Sequence, residues 1–97
     1  MIGKTIEYQY ENGDSYQVEL TEAKATWTAL TGSAAGATGD EDYDCVEVAP
    51  NIFMIGWLES SGEVVTLVVN LDEMAIHCNY VYEKDRHFWR GKVISVS

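Results

Sequence analysis

Residues 5–20 read TIEYQYENGDSYQVEL: two segments in which every second residue is apolar or aromatic, joined by a short polar stretch. Alternation with a period of two is typical of a β-strand with one buried face. An Asn-Gly pair between two such segments, here Asn12-Gly13, is typical of a β-hairpin. The stretch therefore predicts two antiparallel strands joined by a tight turn.

The length of this turn decides which side chains share a face. A two-residue turn would mix polar and apolar side chains on both faces of the hairpin. A three-residue loop, residues 11–13, with Gly13 in the left-handed conformation sets Tyr8 opposite Tyr16 and separates the two kinds of side chain. We therefore expect the three-residue loop. The apolar face then carries Ile6, Tyr8, Tyr10, Tyr16, Val18 and Leu20.

A second hairpin follows the same rule around residues 60–62. A three-residue loop with Gly62 in the left-handed conformation sets Trp57 opposite Val65 on the inner face. The outer face of this hairpin is also apolar, which is not expected of a sheet covered on one side only. A loop or a second subunit should therefore cover it. The outer side chains are Ile52, Met54, Leu58, Val64 and Val68.

The rest of the chain continues the pattern. Short segments rich in Val, Ile, Tyr, Trp and Thr alternate with clusters of Gly, Asn, Asp and Ser about every 8–12 residues, as in antiparallel sandwiches and barrels. A chain of 97 residues forms one domain, 1–97, in this interpretation. Residues 32–42 are expected to form an irregular loop. The eight predicted strands are 5–10, 15–20, 24–31, 43–49, 52–58, 64–70, 75–82 and 88–96.

The charge balance argues against two classes of partner. Sixteen acidic and six basic residues give a net charge of −10. Such a chain repels the phosphates of nucleic acids and of anionic lipids, so neither nucleic acid nor a membrane is an expected partner. No apolar run approaches the roughly 18 residues of a membrane span, and no secretory signal is visible. We therefore expect a cytoplasmic protein.

The two cysteines and the acidic run give little support for a metal site. In a reducing compartment Cys45 and Cys78 favour free thiols over a disulfide. His77 and Cys78 are neighbours on a predicted strand, so their side chains point to opposite faces. Residues 40–44 carry four carboxylates but lack the spacing of a calcium loop. Neither a metal nor a cofactor is expected.

Glu59 is the carboxylate with the strongest claim to a function. It follows Trp57 on the same strand face near the strand end, and a buried carboxylate there must be hydrogen-bonded or protonated. Tyrosine hydroxyls are suitable donors, so we expect at least one of Tyr8, Tyr10 and Tyr16 within reach. The alternative is an exposed glutamate beside a turn, with the three tyrosines as ordinary core residues.

Several short motifs resemble a known pair of families. YQYENGDSY at 8–16, Thr31-Gly32, IGWLE at 55–59 with Gly62, and the later His77 stand in the order of the landmarks of the phenolic acid decarboxylases. They are also similar to those of the smaller MoaF-like proteins, which are grouped with molybdenum cofactor biosynthesis and are closer in size to this chain. The resemblance implies an eight-stranded, lipocalin-like (calycin) meander barrel with a central cavity, often dimeric.

The resemblance also implies roles for particular residues. In the decarboxylases, the tyrosines that match Tyr8, Tyr10 and Tyr16 hold the substrate carboxylate, and the carboxylate that matches Glu59 handles the proton. Those enzymes also have an arginine on the third strand, where Thr28 stands in this chain. The loss of this fixed positive charge removes the strongest anchor for a carboxylate and argues against decarboxylase activity.

Three functions stay open at this point. The first is a dimeric small-molecule-binding barrel of the MoaF-like kind, accessory to molybdenum cofactor biosynthesis. The second is a decarboxylase-like lyase in which Glu59 is the acid/base and Tyr8, Tyr10 and Tyr16 bind the substrate. The third is a structural dimerisation module, since eight-stranded barrels can be filled or hollow. The residues expected to line the cavity are Tyr8, Tyr10, Tyr16, Trp27, Trp57, Glu59 and His77.

Overall fold

The computed structural model describes residues 1–97 and consists of nine β-strands without a helix. All neighbouring strands pair in the antiparallel sense. The strands are β1 (Lys4–Tyr10), β2 (Ser15–Leu20), β3 (Ala25–Ala29), β4 (Thr38–Glu41), β5 (Tyr43–Ala49), β6 (Ile52–Leu58), β7 (Val64–Asn70), β8 (Ala75–Tyr82) and β9 (Asp85–Val96).

The strands form one sheet that curls into a nearly closed barrel. Its order is β4-β3-β2-β1-β9-β8-β7-β6-β5, so the first strand pairs with the last, and β4 and β5 are the two edges. Only Asp42 separates β4 from β5 along the chain, so one extended segment passes from one edge to the other. Across this seam, Lys24 Nζ lies 2.6 Å from Asp42 Oδ1, and the Tyr43 hydroxyl donates to the carbonyl oxygen of Thr21 at 2.6 Å.

The predicted all-β antiparallel barrel is confirmed, with one more strand than the sequence indicates. Five of the eight predicted strands have the predicted bounds in the structure: β2, β5, β6, β7 and β8. β1 and β9 differ from the prediction at one end, and β3 differs at both ends. The additional strand, β4, lies in the predicted loop 32–42 and has the sequence TGDE. This sequence contains little that favours a strand, so its pairing with β3 supplies the stabilisation.

The registers of both predicted hairpins are confirmed. Tyr8 pairs with Tyr16, and Gly13 has a φ of 96°. Trp57 pairs with Val65, and Gly62 has a φ of 103°. Because a left-handed backbone strains any residue with a Cβ atom, glycine at these two positions fixes the loop length and therefore the register.

The hydrophobic core fills the half of the barrel next to the β7–β8 turn. Burying one large aliphatic side chain contributes about 1.5–3 kcal/mol, so this half holds the fold together. Inward side chains at the other end of the barrel are larger and more polar, and they leave space between them. The buried aliphatic residues are Ile6, Val18, Leu20, Ile55, Leu67, Val69, Ile76 and Val93.

The outer face of β5, β6 and β7 carries a strip of exposed apolar side chains. Leu58 is 63% exposed, and Val46, Val48, Met54 and Val64 are also exposed. The prediction that a loop covers this face is therefore wrong. The alternative, cover by a second subunit, stays a prediction, and contiguous exposed apolar patches are uncommon on monomers.

Candidate ligand-binding cavity

A cavity of about 300 Å³ occupies the barrel end where the β1–β2, β6–β7 and β8–β9 turns lie. This volume is at the lower end of the range for small-molecule sites. Residues 30–37, which connect β3 to β4, contribute two alanines to its rim. The lining residues are Tyr8, Tyr10, Tyr16, Trp27, Ala34, Ala37, Trp57, Glu59, Glu63, Val65, Cys78, Tyr80, His87 and Trp89.

Aromatic rings from four neighbouring strands form one side of the cavity. The rings of Tyr8 and Tyr16, cross-strand partners on β1 and β2, are stacked with centroids 6.0 Å apart. Tyr10 lies edge-on to Tyr8 at 5.3 Å and contacts Trp89 of β9 at 5.5 Å. Such edge-on and stacked pairs stabilise each other beyond their burial.

The same side continues onto β8. Trp89 is stacked on His87 at 5.4 Å, and Tyr80 lies 5.3 Å from Trp89. The pairing of Tyr80 with His87 and the two-residue period of β9 place these rings inward. We call the six rings the aromatic wall: Tyr8, Tyr10, Tyr16, Tyr80, His87 and Trp89.

Two tryptophan–glutamate pairs stand on the strands that approach the seam. Trp27 Nε1 donates to Glu41 Oε2 at 2.9 Å, and Trp57 Nε1 donates to Glu59 Oε2 at 3.2 Å. Gly39, the cross-strand partner of Trp27, leaves room for the first indole. A Cβ atom at this position would lie 2.6 Å from Trp27 Nε1.

Glu59 is half-buried, and its environment favours the protonated form. The pKa of Glu59 is raised from 4.5 to about 7. The largest cause is the loss of hydration on burial, and a hydrogen bond with Glu63 is the second. The hydrogen bond from the Trp57 N–H acts in the opposite direction and lowers the pKa. The Ser61 hydroxyl donates to Glu63 at 2.7 Å and, with Glu59, lowers the pKa of Glu63. The two carboxyl groups titrate together, and the first proton lies on Glu59. Glu59 can therefore accept or release a proton near neutral pH.

Tyr8, Tyr10 and Cys78, the most deeply buried titratable groups of the cavity, stay neutral at ordinary pH. Burial raises the pKa values of the Tyr8 and Tyr10 hydroxyls well above the usual range, so both remain O–H groups. Burial also raises the pKa of the Cys78 thiol. Because the thiolate is the nucleophile, Cys78 is a poor one here. Cys78 and the half-buried Cys45 form no disulfide, and no cluster of three or more His, Cys, Asp and Glu side chains could hold a metal ion.

The structure brings six of the seven predicted site residues together in the cavity, and their role in binding stays a prediction. The seventh, His77, was wrongly placed. It is exposed on the outer face, because the inward positions of β8 are Ile76, Cys78 and Tyr80. Successive side chains point to opposite faces of a strand that has no β-bulge, so His77 and Cys78 cannot both face the interior. The histidine in the cavity is His87.

Two further expectations are corrected. The donor to Glu59 is the Trp57 indole, and no tyrosine hydroxyl hydrogen-bonds to it. Thr28 points outward, where its Oγ1 lies 3.3 Å from Thr38 Oγ1, because its neighbour Trp27 faces the cavity. An arginine at position 28 would therefore not reach a ligand. A ligand carboxylate still lacks a lysine or arginine partner, because the residues that line the cavity include neither.

Sequence reasoning missed several lining residues. His87 lies just before the start of the predicted last strand, which begins three residues earlier in the structure, at Asp85. Extending the alternation back from Trp89 would have placed His87 on the same face. No sequence pattern pointed to Glu41, because β4, the strand on which it lies, could not be recognised from the sequence.

The protein is a meander barrel that is packed at one end and holds an aromatic cavity at the other. The chain matches the model of the MoaF-like family over residues 2–93. It therefore belongs to the MoaF-like family, as its motifs indicated.

The fold also occurs in a solved structure, "a putative beta-lactamase from Burkholderia vietnamiensis". The two share 24% sequence identity with a TM-score of 0.88 over 95% of this chain and 91% of that chain. This likeness shows a common fold. No curated protein matches the sequence. No helix in the structure has the length and apolar character needed to cross a membrane.

Proposed function

We propose that this protein binds a small aromatic or partly aromatic molecule in the cavity at the open end of its barrel. The observation that carries the proposal is a space of about 300 Å³ bounded by the aromatic wall and by the two tryptophan–glutamate pairs. Apolar walls with a few convergent polar groups are typical of sites for small molecules. A purely structural module would be expected to fill this space with its own side chains.

A lyase is the second candidate, and one observation favours it. The pKa of Glu59, about 7, suits proton transfer near neutral pH. A phenolic acid, however, would bring an ionised carboxylate into a cavity whose lining holds no lysine or arginine. Burying an unpaired charge costs several kcal/mol, so binding of such a substrate is disfavoured. We therefore place ligand binding first.

The family membership supports two wider proposals. One is an accessory role in molybdenum cofactor biosynthesis in the cytoplasm, which follows only from the resemblance described above. The other is a homodimer formed through the exposed strip on β5, β6 and β7. That strip holds apolar side chains and no charge at its five exposed positions, in a chain of net charge −10. Asp44 is exposed on the same face of β5 as Val46, so we expect the dimer to leave this carboxylate at the solvent-exposed rim of the interface.

Ligand binding can be tested directly, because all three tryptophans of the chain line the cavity. The ¹⁵N-labelled protein would be titrated with small neutral phenols and indoles while the three indole N–H signals are followed. We expect saturable shifts of these signals.

The control is a pair of variants in the rim loop. Ala37→Trp places a ring at the rim and should weaken binding, whereas Ser33→Trp, in the same loop but outside the lining, should not. Absence of any indole shift at millimolar fragment, or equal binding by the two variants, would contradict the proposal.

A further inference from the structure

We propose, on the basis of the ligand-binding function above, that the ligand is an organic cation: an ammonium group attached to an aromatic or compact apolar body. The geometry that points to it is an aromatic wall facing the Trp57–Glu59 pair, Glu63 and the Trp27 indole across one cavity. The ammonium group would lie on the side of the carboxylates, and the body of the ligand against the rings.

The carboxyl groups around the cavity supply negative charge, and Glu59 joins Glu63 in the ionised form once the pH exceeds about 7. Glu59 and Glu63 line it, and Glu41 lies directly behind the Trp27 indole. The cationic side chains near lining residues in the sequence are engaged elsewhere, and one of them, Arg86, lies 5.1 Å over the ring of the exposed Phe88. Lys24 pairs with Asp42 at the seam, and Arg90 pairs with Glu11 on the exterior. His87 is the one lining residue that could carry a positive charge. A cation therefore enters a favourable potential, and an anion an unfavourable one.

The carboxylates have free acceptor capacity. The Glu59 side chain, which lines the cavity, accepts one indole N–H at Oε2 and shares one hydrogen bond with Glu63. An ionised carboxylate offers about four acceptor sites, so several stay open for the N–H groups of a ligand. A hydrogen bond between an ammonium group and a carboxylate is charge-assisted and stronger than one between neutral groups.

The rings supply the second half of the recognition. A cation near the face of Trp or Tyr is attracted by the electron density of the ring, and Trp is the strongest partner. Trp27 and Trp57 bring their rings to the cavity on the same side as the carboxylates, because each indole donates to one of them. One cation can therefore contact a ring face and a carboxylate together. A neutral ligand lacks the charge-assisted part of both contacts.

A matched set of three probes isolates charge from shape. 3-Hydroxybenzylammonium, 3-ethylphenol and 3-hydroxybenzoate share a ring and a phenol group and carry a positive, a neutral and a negative substituent. Binding would be measured at pH 8, where Glu59 is ionised, by calorimetry and by the three indole N–H signals. We expect the cation to bind at least about tenfold more tightly than its neutral analogue, and the anion to bind most weakly.

Two double variants assign the preference to the cavity. Glu59→Gln with Glu63→Gln should reduce the cation preference to about threefold or less. Glu22→Gln with Glu73→Gln removes the same net charge from exposed turns and should leave the preference intact. Denaturation curves would show that both variants fold. If the first does not, the single variant Glu63→Gln takes its place, with Glu73→Gln alone as its control.

The outcomes separate this inference from the proposed function. Equal or tighter binding of the neutral or anionic probe, with indole shifts, would overturn the cation preference and leave ligand binding standing. A preference lost equally in both double variants would also overturn it, because net charge alone would then explain the effect. Absence of indole shifts with all three probes would overturn both proposals.

Discussion

Replacing Glu59 by glutamine should change how the stability of the protein depends on pH. The native structure raises the pKa of this carboxyl group from 4.5 to about 7, so between these values the folded protein binds more protons than the unfolded chain. The free energy of unfolding must then fall as the pH rises through this window. The full rise in pKa corresponds to about 3.4 kcal/mol as an upper limit. Because Glu59 is only half-buried, solvent screening reduces the expected cost to about 1 kcal/mol.

Glutamine cannot ionise, so Glu59→Gln should remove this cost. We expect the variant to match the wild type near pH 4 and to exceed its free energy of unfolding by about 1 kcal/mol at pH 8. Urea denaturation at a series of pH values measures the difference. The control is Glu73→Gln, which lies on the exposed β7–β8 turn at the other end of β7. Its free energy of unfolding should equal that of the wild type at every pH. A Glu59→Gln variant that is equally stable or less stable than the wild type at pH 8 would refute the reasoning.

Three further predictions follow from the packing and the charges. Gly39→Ala should lower the free energy of unfolding by about 1–3 kcal/mol in urea denaturation, because its Cβ atom would lie 2.6 Å from Trp27 Nε1; Gly56→Ala, whose nearest contact would be 3.7 Å away, is the tolerated control. Leu58→Asp should convert the expected dimer to a monomer in sedimentation experiments. Phe88→Asp, at a more exposed site on β9, should leave the dimer intact. A wild-type protein that is monomeric at high concentration would refute this prediction. The purified protein should release no carbon dioxide from p-coumaric or ferulic acid, and measurable turnover would favour the lyase instead.

The strand positions and registers could be predicted because the alternation of apolar and polar side chains is compatible with few strand registers. Once Gly13 is assigned to a three-residue loop, Tyr8 must oppose Tyr16, since any other register exposes the apolar face of the hairpin. The same constraint brought Trp57 and Glu59 to the cavity. These predictions depended on local pattern alone, and the pattern is strong wherever one face is buried.

The parts that failed depend on contacts between distant segments. β4 has a sequence of small and acidic residues, and only its pairing with β3 makes it a strand. Glu41 could not be connected to Trp27 without that strand. His77 was included because of its position in a family motif, although the alternation of β8 turns it outward. Resemblance gave the correct family but the wrong face for this residue.

The seam of the barrel has a consequence for the behaviour of the protein in solution. β4 and β5 are edge strands, and an edge with free backbone N–H and C=O groups can pair with the same edge of another molecule. Val46 and Val48 on β5 are exposed and would favour such growth. The acidic residues of 40–47 stand along this edge, and like charges on two approaching edges repel each other. The acidic run, which lacks the spacing to bind calcium, therefore disfavours pairing between the edges of two molecules.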